Sequence, residues 1–404
     1  MILVFELVWT GTYHAPGNSA TIRTIARAFP GQGVRVFADA SHLTELRADP
    51  TLTVCPNVSL TPVVLSPHFR FRPQIVSPRR AATEFATMRA ALRNVRAGEP
   101  CLIMLLSATP TAIFAASLLA RLSKRPIGIQ VGLHGNLNDA FDWRPRNPLI
   151  RHFDLHAALG AAHGGRVRFL MLENAIRRAL AERAPTAYTR TDVLAHPINQ
   201  AEVINQPDAT PMPPIRIGLV GQATEAKGIT PFLALAAHFQ QINPHDVSFH
   251  LVGRAPDGSD LARFSPLADP ISTEHWSREA FLARLGSLHY VCLPLQPEYY
   301  ELSASGALID AITWLKPVIA TKLPIVRDLF DGFGDIGVLC DDVESMRAAI
   351  ASLIAVPDPA HYEAQREALR AARDSRTPDT LAREYRALVH QGFPGLLPRG
   401  TQDA

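Results

Sequence analysis

The chain has 404 residues, of which 47% are hydrophobic and 19% charged. This length exceeds what one ordinary hydrophobic core serves, and it suits two globular domains of roughly 150 to 200 residues each. The net charge is only +3, and the aromatic residues, 7% of the total, are not interleaved with basic ones, which argues against nucleic acid as a partner.

The first apolar segments in the chain are predicted to be strands and a helix of a folded domain. Residues 1–11, MILVFELVWTG, lack the positive start and the small-residue cleavage site of a signal peptide, and Glu6 interrupts them, so they predict a first strand. Residues 101–120 are uncharged over about the length of a membrane span. Pro110 and its polar neighbours break that run, which favours a buried strand, a turn and a helix.

Apolar strand-like runs alternate with helix-period segments through both halves of the chain. The first half contains VRVFAD, CLIMLLS and PIGIQVGLHG, and the second contains IRIGLVG, VSFHLVG, YVCLPL and KPVIAT. Near-continuous apolar strands separated by amphipathic helices indicate parallel sheets covered on both faces. We therefore predict an α/β chain of two Rossmann-like, doubly wound parallel-sheet domains that face a cleft, with ligands at the carboxyl ends of the strands.

The composition along the chain predicts where the domains begin and end. Residues 1–198 are predicted to form the first domain and residues 215–372 the second, joined by the polar, proline-rich linker 199–214. Residues 373–404 are predicted to supply a C-terminal helix that returns to the first domain, followed by a fraying tail.

The cysteines predict buried thiols rather than disulfides. They are scattered and show neither CxxC nor metal-ligand spacing, which is typical of a protein in a reducing compartment. The sequence therefore predicts no metal site in Cys55, Cys101, Cys292 and Cys340.

Charge is divided unevenly along the chain. Residues 1–200 carry 23 Lys+Arg against 12 Asp+Glu, a net of +11, whereas residues 201–404 carry 17 against 25, a net of −8. Basic segments such as FRFRP (69–73) and the amphipathic stretch 164–184 admit two interpretations. They are either solvated arginine faces or a surface that attracts an anionic membrane or a phosphate-bearing substrate.

The segment GQATEAKGIT, residues 221–230, joins an apolar run to a helical one. Such a turn presents backbone N–H groups and the positive end of a helix dipole, which attract an anion, and Lys227 adds a charge. A phosphate-binding P-loop would read GxxxxGK[ST], but Ala226 and Gly228 stand at its last glycine and its hydroxyl positions. We predict a diphosphate site that includes Gly221 and Lys227; the alternative is a surface lysine in a turn.

Two further segments of the second half carry candidate donor-binding residues. One strand ends at a glycine whose backbone is suited to hold a nucleoside base. A later helix opens with free N–H groups that can bind phosphate, although a purely structural helix is the alternative. The residues are Gly253 and Arg254 after the strand, and Ser303, Ser305, Gly306 and Asp310 at the helix.

The turn with Lys227, the strand ending LVG and the pair SGALIDAITWLKPVIAT resemble the donor-binding domain of nucleotide-sugar-dependent glycosyltransferases of the GT-B fold. The most similar set is the retaining, glycogen-synthase-like group 1. The resemblance covers about Ile215 to Phe330, and the first domain only in outline. It implies a retaining, hexosyltransferase-like enzyme that uses a UDP-sugar or GDP-sugar as substrate, with no metal and no cofactor.

The resemblance also implies roles in the second domain. Lys227 resembles the lysine that contacts the donor diphosphate, and Asp310 the second acid of a pair, which binds the ribose hydroxyls. Ser305 and Gly306 match helix-start positions near the phosphates.

In the first domain the resemblance implies an acceptor-side loop and a catalytic region. Gly17 and Asn18, in PGNS (16–19), resemble a glycine-rich loop that approaches the reacting sugar and the acceptor. His134 resembles the histidine that lines the sugar site, with a merely buried histidine as the alternative. Asp139 is the candidate general base if the reaction inverts the sugar configuration.

Two departures from the family pattern leave other functions open. Gln222 stands where an arginine is usual, and Leu302 where the first acid of the pair is usual. A lost arginine weakens phosphate binding by about 1.5–3 kcal/mol per hydrogen bond. The alternatives are a GT-B-shaped nucleotide-binding or carbohydrate-binding scaffold without transfer activity, and a nucleotide-sugar epimerase, which would need more acids and histidines in the cleft.

The expected acceptor is a bacterial surface polysaccharide or a lipid-linked oligosaccharide. The basic first half favours a cytoplasmic protein in peripheral contact with the anionic inner face of a membrane.

Overall fold

The computed structural model describes residues 1–65, 76–133, 137–142, 144–160, 165–203 and 211–398, without the side chains of 138–140 and 202. The chain divides into two compact units. Unit 1 contains Met1–Ala201, Leu302–Ala304 and Arg376–Ala404, and unit 2 contains Glu202–Glu301 and Ser305–Ser375.

Unit 1 is a parallel sheet with helices on its faces. Its strands are β1 (Ile2–Glu6), β2 (Val34–Ala38), β3 (Val58–Pro62), β4 (Cys101–Ser107), β5 (Ile127–Gly132), β6 (Val167–Met171) and β7 (Thr191–Val193). Its helices are α1 (Ala15–Ala28), α2 (Ala40–Ala48), α3 (Pro50–Thr53), α4 (Pro78–Arg93), α5 (Pro110–Leu122), α6 (Leu137–Asp142), α7 (Pro148–Arg151), α8 (Leu155–Gly160), α9 (Asn174–Arg183) and α10 (Pro185–Tyr188), with α18 (Pro378–Gly392) near the C-terminus.

The strand order of unit 1 creates a topological switch point. Within the described ranges the sheet has seven strands in the order β3-β2-β1-β4-β5-β6-β7, and every pairing is parallel. The winding direction reverses between β1 and β4, and open α/β sheets bind ligands outside the carboxyl ends of the strands at such a point.

The core of unit 1 explains the apolar runs in the sequence. Every residue of β1 and β4 is buried, as expected for strands covered on both faces. One core cluster joins Ile2 and Val4 of β1 to Ile25 of α1 and to Tyr385 and Val389 of α18. The C-terminal helix α18 is therefore part of this core.

Unit 2 is a second parallel sheet. Its strands are β8 (Ile215–Val220), β9 (Val247–Val252), β10 (Tyr290–Leu293), β11 (Val318–Thr321) and β12 (Gly337–Cys340). Its helices are α11 (Ile229–Ile242), α12 (Arg278–Ser287), α13 (Pro297–Tyr300), α14 (Gly306–Thr313), α15 (Pro324–Phe333), α16 (Val343–Ala355) and α17 (Pro359–Asp374). Short 3-10 helices span Gln200–Glu202, Glu225–Lys227 and Leu261–Phe264.

The described strands of unit 2 run in the order β12-β11-β10-β8-β9, and all pairings are parallel. The switch point of this sheet lies between β8 and β10. The core joins Ile217 of β8 and Phe249 of β9 to Phe232 and Phe239 of α11 and to Ile350 of α16. Burial of these side chains holds α11 against the sheet and fixes the turn that precedes it.

The structure confirms the predicted α/β class with two parallel sheets. Residues 101–122 form a buried strand and a helix, as predicted, and the four cysteines are free and buried. Among the described residues, no helix combines the length and the apolar character needed to cross a membrane.

Candidate functional site

The carboxyl ends of β8 and β10 meet at the switch point of unit 2. After β8 ends at Val220, the chain makes a turn and the short helix Glu225–Lys227 before α11 begins. The N–H of Gln296 donates to the carbonyl of Ala226 at 3.0 Å, which ties the segment after β10 to this turn. The turn that the sequence singled out thus lies where sheets of this topology bind ligands.

Two glycines allow close backbone approach at this point. Gly221 has φ 95° and Gly253 has φ 151°, in a region that side-chain-bearing residues rarely adopt. A Cβ on Gly253 would overlap the carbonyl of Gly221, and a Cβ on Gly221 would overlap the ammonium of Lys227. The lack of space for a Cβ atom and the positive φ angle therefore both require glycine at positions 221 and 253.

We expect Gly253→Ala to destabilise the protein by about 1–3 kcal/mol, because the new methyl group must displace the Gly221 carbonyl from a strained backbone. Thermal unfolding measures the effect. The control is Gly332→Ala on α15, where a Cβ meets no atom within 4 Å. That change should be neutral or stabilising, because alanine favours a helix over glycine. Equal shifts in melting temperature for the two variants would contradict the prediction.

Lys227 places a cation at the end of β8. Its Nζ donates to the carbonyl of Val220 at 3.0 Å. Burial lowers the pKa of Lys227, and the negative charge of Asp310 opposes that shift. An ammonium has three N–H donors, and among the described residues only Val220 accepts one of them. Two donors therefore remain for a ligand.

The N-terminus of α14 and Asp310 also belong to unit 2. Ser305 is buried and caps α14 by accepting from the N–H of Leu308 at 3.3 Å, whereas Gly306 is exposed and has open space around it. Arg278 of α12 lies 3.4 Å from the Asp310 carboxylate, Nη2 to Oδ1. No signal in the sequence points to Arg278, because no motif links it to an acid 32 residues further on.

The remaining donor-site candidates have mainly structural contacts. Arg254 donates to Asp257 at 2.9 Å and to the carbonyl of Thr273 at 3.2 Å. The carbonyl of Gln222 accepts from Thr224 in the turn. The segment Leu302–Ala304 is grouped with unit 1, and in it both Leu302 and Ser303 are buried. In unit 2 the structure thus brings together Gly221, Lys227, Gly253 and Asp310.

Gly17 and Asn18 do not lie in a loop, which corrects the sequence interpretation. Both residues belong to the first turn of α1, and the loop after β1 spans residues 7–14. The resemblance implied a loop at these residues, but Pro16 occupies the first turn of α1, where proline is favoured. Of the other first-domain candidates, His134 lies outside the described residues, and Asp139 lies on α6 with its side chain undescribed.

A buried carboxylate, Glu6, ends β1 at the switch point of unit 1. Its Oε1 accepts from the N–H groups of Val8 and Trp9 at 2.8 and 3.0 Å. Its Oε2 accepts from Asn18 Nδ2 at 3.1 Å and from Ser107 Oγ at 2.8 Å. Burial raises the pKa of Glu6 to about 7, although these hydrogen bonds oppose the shift. A signal for this residue exists in the sequence, since Glu6 is a lone acid in an apolar strand.

The hydrogen-bond network around Glu6 continues through Asn18 to His42. Asn18 Nδ2 lies 3.0 Å from His42 Nε2, and His42 Nδ1 lies 2.8 Å from the carbonyl of Gly11. A neutral imidazole with its proton on Nδ1 satisfies both contacts, and burial lowers the pKa of His42. In the part of the chain that the structure describes, no group of three His, Cys, Asp or Glu side chains is arranged to hold a metal ion.

The family model described as Glycosyl transferases group 1 matches residues 214–355. This range runs from the start of β8 through α16 and includes Gly221, Lys227, Gly253 and Asp310. None of the curated proteins matches the chain by sequence.

Solved structures match almost the whole chain. A glycosyltransferase from Rickettsia africae ESF-5 is 11% identical with a TM-score of 0.67, over 98% of this chain and 99% of that one. An E. coli structure described as trehalose-6-phosphate bound with UDP-2-fluoro glucose is 11% identical with a TM-score of 0.60, over 99% and 100%. The glycotransferase of kitacinnamycin is 14% identical with a TM-score of 0.56, over 97% and 99%. At these identities the likeness shows a shared fold.

Proposed function

We propose that this GT-B chain, whose residues 214–355 form a domain of the group 1 glycosyl transferases, moves a sugar from a nucleoside-diphosphate sugar to a polysaccharide or a lipid-linked oligosaccharide. The observation that carries the proposal is the partly buried ammonium of Lys227 at the β8 switch point, with one of its three donors engaged by Val220. A diphosphate offers oxygen acceptors to the other two donors.

Lys227 acts on the leaving group. As the bond between the sugar and the diphosphate stretches, negative charge grows on the diphosphate, and donors already held in place there lower the barrier. The N–H groups at the start of α14 add to this effect. This electrostatic role requires no metal, and it is compatible with retention of the sugar configuration.

Asp310 binds the ribose hydroxyls in this proposal. The carboxylate accepts hydrogen bonds from two neighbouring hydroxyls, and Arg278 at 3.4 Å holds it in place. The UDP-sugar analogue bound in the similar E. coli structure favours a UDP-sugar over a GDP-sugar.

The proposed acceptor and the proposed location in the cell are argued from the charge of the first half of the chain. The net of +11 in residues 1–200 attracts an anionic membrane surface or a phosphate-bearing lipid carrier. We place the protein in the cytoplasm, in peripheral contact with the inner face of the membrane, for the synthesis of a surface polysaccharide.

A second candidate is a nucleotide-binding protein without transfer activity. Leu302, where an acid is usual, is fully buried, and Gln222 carries no charge to clamp a phosphate. A protein of this kind keeps Lys227 for binding but lacks part of the transfer machinery.

Calorimetry with UDP and GDP, together with hydrolysis of labelled UDP-glucose and GDP-mannose, tests both candidates. We expect saturable heat with one diphosphate and slow hydrolysis of the matching sugar nucleotide, both unchanged by EDTA. Binding without hydrolysis supports the second candidate. Absence of heat with both diphosphates contradicts both candidates, and loss of hydrolysis in EDTA contradicts metal independence.

A further inference from the structure

Three polar side chains of unit 2 form one hydrogen-bonded chain beside β9. Ser248 and His250 stand two positions apart on this strand, so their side chains leave the same face of the sheet. Ser248 Oγ lies 2.8 Å from His250 Nε2, and His250 Nδ1 lies 2.8 Å from Asp269 Oδ2. We call Ser248, His250 and Asp269 the β9 triad.

The partners of the imidazole assign its proton. An ionised carboxylate only accepts hydrogen bonds, so Nδ1 of His250 is the nitrogen that carries the proton. In a neutral imidazole the other nitrogen is then an acceptor, and the Ser248 hydroxyl donates to Nε2. The histidine is therefore set to take a proton from the serine, with its orientation fixed by the aspartate.

Asp269 is held beside β9 as a carboxylate. The N–H of Ala268 donates to the carbonyl of Phe249 at 2.9 Å, which ties the segment that carries Asp269 to the strand. Arg284 of α12 donates to Asp269 Oδ2 at 2.7 Å. Burial opposes the ionisation of Asp269, but the hydrogen bonds from His250 and Arg284 lower its pKa overall. The negative charge that orients the imidazole is thus present near pH 7.

The β9 triad is open to small molecules and separate from the proposed donor site. Ser248 is partly exposed, and 14% of the His250 side chain is exposed. Among the described strands of unit 2, β9 lies at the edge of the sheet. Ser248 precedes Gly253 by five residues, about 16 Å along a strand that rises about 3.3 Å per residue. A reaction at Ser248 can therefore be measured independently of nucleotide binding.

Arg216 adds positive charge to the same face of the sheet. It is the register partner of Ser248 on the neighbouring strand β8. Register partners have their side chains on one face, and adjacent strands lie about 4.8 Å apart. A guanidinium in this place lowers the free energy of negative charge that develops near Ser248.

We propose that the β9 triad is a reactive centre for small acyl esters, in which Ser248 is the nucleophile, His250 the general base and Asp269 the residue that positions the imidazole. The three roles follow from the direction of the hydrogen bonds, and such an arrangement is recognised by its geometry rather than by its place in the sequence. This activity goes beyond the proposed sugar transfer and does not depend on it.

The reaction has two balanced steps. Ser248 Oγ forms a bond to the ester carbonyl carbon, the hydroxyl proton passes to His250 Nε2, and the bond to the alcohol oxygen breaks as that proton is given to the leaving alcohol. Water then attacks the acyl-serine and gives a proton to His250, and the acid is released as this proton returns to Ser248 Oγ. The sum is ester and water giving acid and alcohol, so no other co-reactant is required.

Hydrolysis of p-nitrophenyl acetate and labelling by diisopropyl fluorophosphate test the proposal. We expect kcat/KM for the ester to fall about 100-fold in Ser248→Ala and in His250→Gln, because a positioned base typically contributes about 100-fold or more. The phosphorus reagent should label Ser248 with loss of fluoride, as read by mass spectrometry of peptides. Thermal unfolding of each variant shows whether it remains folded.

Ser287 provides the matched control. It is an exposed serine of the same unit, and its hydroxyl donates to the carbonyl of Arg284 at 2.7 Å rather than to a histidine. Ser287→Ala should hydrolyse the ester at the rate of the unaltered protein. Equal labelling of Ser287 and Ser248 would show that exposure alone decides reactivity, and it would overturn the proposal. Ester hydrolysis that Ser248→Ala does not change would overturn it as well.

Asp269→Asn tests the positioning role. We expect kcat to fall about tenfold or more with little change in KM, because the imidazole loses the partner that fixes its proton on Nδ1. The rate should also reach half its maximum at a lower pH, because the imidazolium loses a stabilising negative charge. The other charged or titratable groups that face His250 are unchanged in this variant, and they are Arg216, Arg284 and His289. An unchanged kcat and pH profile would contradict the role of Asp269.

Discussion

Lys227→Met is expected to lower kcat/KM for donor hydrolysis by about 100-fold or more. Loss of one charge-assisted hydrogen bond weakens diphosphate binding by about 1.5–3 kcal/mol, and removal of one donor to a developing anion typically lowers kcat by about 100-fold to 1000-fold. Methionine keeps the length and most of the volume of the side chain, so the change removes mainly charge. Steady-state hydrolysis and calorimetry of UDP and GDP measure the two effects.

Thermal unfolding shows whether the Lys227→Met protein has lost only its activity or also its folded structure. In the absence of ligand the ammonium of Lys227 is partly buried, and burial disfavours its charged form, so Lys227→Met should unfold at the same or a higher temperature than the unaltered protein. Lys322→Met is the matched control, because this half-exposed lysine pairs with Asp341 at 3.3 Å in the same unit. A Lys227→Met protein that binds both diphosphates with unaltered affinity would remove the basis of the proposed donor site.

The parts of the proposed donor site that are local in the chain can be predicted from the sequence. Gly221 and Lys227 belong to one turn between a strand and a helix, so their spacing alone places a cation at the end of β8. Arg278 could not be predicted in this way. Its contact with Asp310 depends on how α12 packs in unit 2, which no local pattern encodes.

The error at Gly17 and Asn18 has a related cause. The family resemblance implies a loop at these residues, but in this chain they belong to the first turn of α1. Asn18 is buried and donates to Glu6, a partner supplied by β1, and this bond favours the helical position. In the sequence Glu6 is visible only as an interruption of an apolar run. Its role depends partly on Ser107, which lies 101 positions away.

Glu6→Ala is expected to destabilise the protein by about 3–5 kcal/mol. The change removes an acceptor that four donors share, and each buried donor that finds no other acceptor costs about 1–3 kcal/mol. Chemical denaturation at pH 7 measures the loss. Glu182→Ala, an exposed acid on α9, should change stability by less than about 0.5 kcal/mol. A Glu6→Ala protein as stable as this control would show that the network contributes nothing.

Glu6→Gln tests how the charge of the Glu6 side chain affects stability at different pH values. The pKa of Glu6 rises from 4.5 to about 7 on folding, so folding favours the protonated form. The unaltered protein should therefore lose stability relative to Glu6→Gln between about pH 4.5 and 7, by about 3 kcal/mol in total, with no further change above pH 7. His14 and His42 also titrate at acidic pH, but both proteins contain them, so their contribution cancels in the difference. A difference that grows in favour of the unaltered protein as pH rises would mean that the hydrogen bonds outweigh desolvation, and that Glu6 holds the loop after β1 as a carboxylate.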